Sequence, residues 1–171
     1  MEEKRLVLTA DALQKRVREL GREISREYSG KKPLLVGVLN GAFIFLADLV
    51  RQIDIPCEID FIRVASYGKN DTAGSIALTK DVERQIAGRS VVLVEDIVDT
   101  GNTIAFLQEL FSDRQADSVR ICALIDKKER RQVPVTVDYV GFDVAEGFLV
   151  GYGLDFAEQH RHYPHVYHLV R

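Results

Sequence analysis

The chain has 171 residues, 46% apolar and 29% charged, with a net charge of -3. This is the composition of an ordinary globular protein, its length suits a single domain spanning 1–171, and its acidic balance argues against a non-specific nucleic-acid binder. No run is long enough for a membrane span, MEEKRLVL lacks a signal peptide's apolar stretch, and Cys57 and Cys122 read as reduced structural thiols, so the expected location is the cytoplasm.

Thr9 is placed to cap a helix over 10–28, in which Leu13, Val17, Leu20 and Ile24 share one face. Gly30 and Pro33 break the chain before LLVGVL (34–39), which reads as a buried strand. Asn40-Gly41 makes a turn, and AFIFLADLV reads as an apolar helix behind it. CEIDFIRVASY (57–67) is a partly alternating strand, GKNDTAGSI (68–76) a polar loop, and IALTKDV a short returning strand. VVLV (91–94) lacks polar alternation, as expected of a strand buried on both faces of a parallel sheet. A helix over 101–112 and a strand SVRICALID (118–126) follow, then short strands in VTVDYVGF, FLVGYGL and HVYHLV. Strands alternating with helices predict an α/β fold with a mostly parallel central sheet.

The stretch VVLVEDIVDTGNT carries the densest chemistry. Ligands of open α/β sheets gather at the carboxyl ends of strands, where Glu95 and Asp96 would sit. Neighbouring strand residues point to opposite sides, so the two acids are expected to have different tasks. Asp99 to Thr103 would lead into a helix whose N-terminus, with the Thr100 and Thr103 hydroxyls, suits a phosphate monoester. Gly101 would let the backbone come close. Acids beside a phosphate make sense if they grip sugar hydroxyls or work with a divalent cation. The structural alternative is an acidic turn that caps a helix, with Asp99 as the cap. Alone, Lys127 in KKERR would be part of a solvated face, Phe148 a core aromatic, Arg161 a surface residue and the 66–76 loop a hairpin tip. His160, His162, His165 and His168 fit no zinc spacing and read as scattered surface or strand residues.

The full run E-D-x-x-D-T-G-x-T resembles the phosphoribosyl-diphosphate motif of type I phosphoribosyltransferases. LNGAFIFLADL (39–49), ASYG (65–68), LIDKKER (124–130) and FLVGYGLDFAEQHR (148–161) narrow the resemblance to the hypoxanthine-guanine (6-oxopurine) branch. The resemblance implies that fold, with a small hood formed by the terminal segments. It implies transfer of phosphoribose from 5-phosphoribosyl 1-pyrophosphate to N9 of hypoxanthine or guanine in purine salvage, with Mg²⁺ as cofactor. It assigns Asp99 to the purine N7 proton, and Glu95 and Asp96 to the ribose hydroxyls, directly or through metal. Thr100, Gly101, Asn102 and Thr103 would cradle the 5′-phosphate, while Lys127, Phe148 and Leu149 would hold the purine. An ammonium has only donors, so Lys127 would favour a 6-oxo over a 6-amino base. Leu39, Asn40, Gly41 and Arg161 would meet pyrophosphate, Asp155 a second Mg²⁺, and Ser66 and Tyr67 would start a mobile lid. Lys128, Arg130 and Arg131 keep a solvated reading, although Arg131 could assist orientation. Many relatives carry lysine or arginine where this chain has Asn40, in a loop that often contains a non-proline cis peptide. The resemblance also implies a homodimer or homotetramer that binds no nucleic acid and no membrane. Same-fold alternatives are a xanthine-preferring transferase and a non-catalytic nucleotide-sensing regulator. No G-x-G-x-x-G follows a strand, which disfavours a dehydrogenase.

Overall fold

A computed structural model of the chain describes residues 3–67 and 75–170. Its centre is a six-stranded sheet ordered β4-β3-β2-β5-β6-β7. The strands are β2 (Leu34–Leu39), β3 (Glu58–Tyr67), β4 (Ser75–Lys80), β5 (Ser90–Val98), β6 (Ser118–Asp126) and β7 (Tyr139–Asp143). All neighbours pair in parallel except β4, which runs antiparallel along the β3 edge.

The central strands are apolar throughout because both faces are covered. Leu35, Val92, Val94, Cys122 and Leu124 face a cluster with α1 (Ala10–Glu27) and α2 (Phe43–Val50). Val36, Val38, Leu93, Ile121 and Ala123 face α3 (Asn102–Asp113) through Ile104, Leu107 and Phe111. The period of two thus divides each strand between two cores. On α1, Leu13, Val17, Leu20 and Ile24 are fully buried, and Thr9 caps the helix by accepting from the Ala12 amide at 3.1 Å.

A second sheet, ordered β1-β9-β8, joins the two ends of the chain. It consists of β1 (Glu3–Leu8), β8 (Leu149–Val150) and β9 (Val166–Val170), all antiparallel. This is the expected hood, but β1 has no pattern that would announce a strand, since five of its six residues are exposed. Its conformation comes from pairing with β9, Glu3 opposite Val170 through Leu8 opposite Val166. Among the described residues no helix is long and apolar enough to cross a membrane.

From β2 the chain passes to β3 on one side, while β5 lies on the other. The carboxyl ends of β2 and β5 therefore flank the point where strand order reverses, the place where open α/β sheets leave a crevice.

Gly21 marks the tightest contact between α1 and the end of α2. A Cβ there would lie 2.5 Å from Gln52 Cβ and 2.7 Å from the Gln52 carbonyl oxygen. Alanine would gain about 1 kcal/mol of helix propensity, but forcing a backbone carbonyl aside costs about 1–3 kcal/mol. Gly21→Ala is therefore expected to lower stability, as a reduced urea midpoint at unchanged slope.

Candidate active site

The acids of β5 lie within the strand and not beyond its end. Pairing with β6 continues through Glu95 opposite Ala123 to Val98 opposite Asp126, whereas pairing with β2 stops at Val94. The strand expected over 91–94 is longer because β6 supports its second half. Glu95 and Asp96 are 7% and 9% exposed. Burial, then the neighbouring Asp96 charge, pushes Glu95 well above the usual carboxylate range. Burial also raises Asp96, against the opposing pull of Glu95, the Ile97 amide and the Arg161 charge. Asp96 Oδ1 accepts from the Ile97 amide at 2.8 Å, and Glu95 Oε1 accepts from the Asp96 amide at 3.1 Å. Two buried carboxylates with no cation in direct contact form a donor set suited to a divalent ion or a diol.

The 39–41 loop closes over this pair. The Leu39–Asn40 peptide is cis. Gly41 packs so tightly that a Cβ would sit 1.9 Å from Asp96 Oδ2, and a Cβ on Gly153 would sit 2.2 Å from the Gly41 carbonyl oxygen. Arg161 fixes the same turn, donating from Nη1 to the Gly153 carbonyl at 2.7 Å. Its Nη2 lies 3.1 Å from both Asp155 and Glu158, while its buried Nε has no hydrogen-bond partner. Asp155 also accepts from the Glu158 amide at 2.8 Å.

After β5, Gly101 with φ +88° caps α3 without any side-chain cap bond. Asp99 is thus not a helix cap. A cavity of about 170 Å³ is lined by residues 95–101 with Thr103 and Ile104. Thr100 Oγ1 accepts from the Asn102 amide at 3.3 Å. The Asn102 side chain does not line this cavity and donates instead to Gln132 Oε1 at 2.9 Å.

A second cavity of about 170 Å³ shares Asp96, Ile97 and Asp99 with the first and adds Lys127, Arg130, 147–149, Leu154 and Asp155. Lys127 is 6% exposed, with Nζ 3.9 Å from Asp99 Oδ1 and 3.2 Å from Glu129 Oε2. Asp99 Oδ1 is buried with no hydrogen-bond partner. Phe148 is 39% exposed at the cavity wall, outside β8, and not a core strand aromatic. Ser66 and Tyr67 are exposed at the end of β3, opposite Ile76 and Ser75 of β4. The remainder of the expected lid, with Gly68 and Gly74, lies outside the described residues.

Two expectations need correction. Arg131 is no solvated residue: Nε donates to the Asp99 carbonyl at 2.8 Å, and Nη2 to the carbonyls of Val98 and Lys127 and to Asp126 at 2.5 Å. It ties the end of β5 to the end of β6. His160 is buried beside Tyr163, and His165 Nδ1 accepts from the Ala10 amide at 2.8 Å. Among the described residues no three His, Cys, Asp or Glu side chains gather into a metal-binding cluster. Glu129 and Arg131 carry functional-site contacts that a KKERR run does not signal, because charge-rich composition is silent on direction.

A family profile described as the phosphoribosyl transferase domain matches residues 7–157. The chain is 42% identical to the hypoxanthine-guanine phosphoribosyltransferase of Bacillus subtilis, covering 95% of this chain and 91% of that protein. It is 44% identical to the bifunctional protein TilS/HprT of Listeria innocua, again over 95% of this chain but only 25% of that longer protein. The chain thus spans about a quarter of the bifunctional relative. A crystal structure of a Bacillus anthracis hypoxanthine-guanine phosphoribosyltransferase superposes with a TM-score of 0.92 at 40% identity, covering 96% of this chain and 98% of that one.

The buried acid pair has a pH signature. The folded state holds Glu95 protonated to higher pH than the unfolded chain does. Folding stability therefore falls as pH rises from the ordinary glutamate range to the raised folded value, and is constant beyond it. Glu95→Gln removes that loss. In metal-free buffer the variant should melt above the parent at neutral pH and match it in acid, as followed by thermal unfolding across pH.

Proposed function

The chain belongs to the phosphoribosyl transferase family, and from that membership and its site we propose that it transfers the phosphoribosyl group of 5-phosphoribosyl 1-pyrophosphate to N9 of hypoxanthine or guanine. The products are IMP or GMP and pyrophosphate, so the activity is purine salvage. One observation carries the reading: two adjoining cavities share Asp99, one fit for a phosphorylated sugar and the other walled by Phe148 with Lys127 at its edge.

In this reading Thr100, Gly101, Thr103 and the amide of Asn102 receive the 5′-phosphate at the start of α3. Glu95 and Asp96 face the ribose hydroxyls. The purine lies against Phe148, contacts the backbone near Leu149, and accepts at O6 from Lys127. As the bond from C1′ to the pyrophosphate oxygen breaks and the N9–C1′ bond forms, positive charge develops on the sugar and then on the base. Asp99 Oδ1, buried and without a hydrogen-bond partner among the described residues, takes the N7 proton. The leaving pyrophosphate meets the 39–41 loop and Arg161, whose guanidinium is held in place by Gly153, Asp155 and Glu158. Ser66 and Tyr67 begin the lid that excludes water from the cationic sugar.

Mg²⁺ is the cofactor of this reading, with Glu95, Asp96 and Asp155 to hold it, and when bound it supplies charge neutralisation to the diphosphate. One or two carboxylates with substrate oxygens match the way this ion is commonly held, Glu95 and Asp96 for one ion and Asp155 for a second. The enzyme is placed in the cytoplasm as a homodimer or homotetramer, independent of nucleic acid and membrane. A strictly monomeric, fully active species in sedimentation would contradict the assembly.

The test is turnover of hypoxanthine, guanine, xanthine and adenine with 5-phosphoribosyl 1-pyrophosphate, with Mg²⁺ and with excess chelator. Metal-dependent turnover of hypoxanthine or guanine but not adenine is expected. No turnover of either base overturns the assignment, and full turnover in chelator overturns the cofactor. Asp99→Asn should lower kcat by about two to four powers of ten. Donor affinity should change by roughly tenfold or less, about 1.4 kcal/mol, because Glu95, Asp96 and the phosphate cradle remain. A stability collapse with unchanged kcat would make Asp99 a purely structural residue.

A further inference from the structure

Lys127 is the one cation of the base cavity that is almost wholly buried. Among the described residues two carboxylates, Asp99 and Glu129, lie within 4 Å of its ammonium. Asp99 Oδ1 lies 3.9 Å from its Nζ, beyond hydrogen-bond length, and Arg130 Nη1 lies 3.8 Å from Asp99 Oδ2. Among the described residues Glu129 is the nearest counter-ion of the ammonium, at 3.2 Å. The same oxygen, Glu129 Oε2, also accepts from the Gly147 amide at 3.3 Å. Gly147 is the residue before Phe148 and has φ +105°. One exposed carboxylate thus links the ammonium on one wall of the cavity to the backbone that presents the aromatic ring on the other.

We propose that Glu129 is a positioning residue for base recognition, holding the Lys127 ammonium in place and tying it to the loop that carries Phe148. This rests on the functional reading above. Its chemical reason lies in the proton transfer. When Asp99 takes the purine proton its charge is lost, and Lys127 would be left buried without a counter-ion if Asp99 were its only partner. Glu129 takes no part in that transfer and stays charged through it. Its carboxyl is held below the usual range, first by Lys127 and then by the Gly147 amide, so it is ionised at neutral pH. An ammonium has three donors. Glu129 uses one and leaves the others free for O6 and Asp99.

The bland reading is a surface ion pair, since the Glu129 side chain is 45% exposed and such pairs contribute little to stability. The two readings differ in which substrate notices. A surface pair leaves both Michaelis constants alone. A positioning residue affects the base and spares the donor, because Glu129 lies outside the cavity lined by 95–101 and Thr103.

Glu129→Gln and Glu129→Asp decide this, with kcat and separate KM values for hypoxanthine and for 5-phosphoribosyl 1-pyrophosphate. In Glu129→Gln the hypoxanthine KM should rise about tenfold, the loss expected for one charge-assisted hydrogen bond, while the donor KM stays within about twofold. Glu129→Asp keeps the charge and should recover most of the loss. Unchanged hypoxanthine KM, or equal loss for both substrates, overturns the proposal. A ligand-free arm separates it from the functional reading. The Lys127 ammonium cross-peak in a lysine ¹⁵N spectrum, assigned by its absence in Lys127→Arg, should be present in the parent and weaken in Glu129→Gln. An unaltered cross-peak overturns the proposal. A parent that turns over neither base, with the cross-peak still lost on substitution, defeats the functional reading and leaves the Glu129–Lys127 contact standing.

Discussion

The constraint around which the site is built is the burial of two carboxylates side by side in an apolar strand. Glu95 and Asp96 lie in β5 with a core on each face of the sheet; burial raises the cost of ionising both, and the Asp96 charge adds to it for Glu95. A protein keeps such a pair only where something else bears the charge. The surroundings are arranged accordingly. Gly41 brings a backbone with no side chain against Asp96, Arg161 lends a distant positive field, and the acids open onto a cavity without a resident cation in direct contact. The unfavourable pair therefore reads as a binding device, whose cost in the free protein is recovered when ligand arrives.

Holding that device requires parts far apart in sequence. β5 supplies the acids, β2 the loop above them, β6 the lysine, and the hood the aromatic and the arginine. The hood is tied down by chain-end pairing between β1 and β9 and by the Ala10 amide on His165. The Gly153 turn then meets the Gly41 carbonyl so closely that neither position tolerates a Cβ. Arg131 does similar work on the opposite side, where three backbone carbonyls from the ends of β5 and β6 converge on one guanidinium. Asp99 and Lys127 thereby face each other from different strands without touching.

Much of this was legible in the sequence, for reasons that differ by residue. VVLV lacks alternation because it is covered on both faces, and Leu13, Val17, Leu20 and Ile24 mark a helix face because they pack on that sheet. The motifs picked out Glu95, Asp96, Asp99, Lys127 and Phe148, which the fold gathers around two adjoining cavities. What stayed hidden depends on direction and pairing. β1 is an exposed strand whose identity lies in its partner β9. Glu95 and Asp96 should diverge by strand period, yet both are buried. Arg131 and Glu129 are members of a charge run, and only the fold turns one under the site and the other toward Gly147.

The charge pattern carries one further consequence for the proposed reaction. A chain of net charge -3 must bind a polyanionic donor, and its nearby cations are already engaged. Arg161 sits against Asp155 and Glu158, Arg131 against Asp126, and Lys127 against Glu129. Phosphate can therefore gain little from these groups as free charges, since each contact must first compete with a carboxylate held at short range. Asn40 adds no charge to the loop. Net attraction must come from elsewhere: backbone amides at the start of α3 and in the 39–41 loop, and a divalent ion that turns the excess carboxylates from a repulsive surface into ligands. On this argument the acidic character of the site and its proposed need for Mg²⁺ are one property. The arginines and lysine are each held by their own acid, which fixes their geometry at the cost of free attraction.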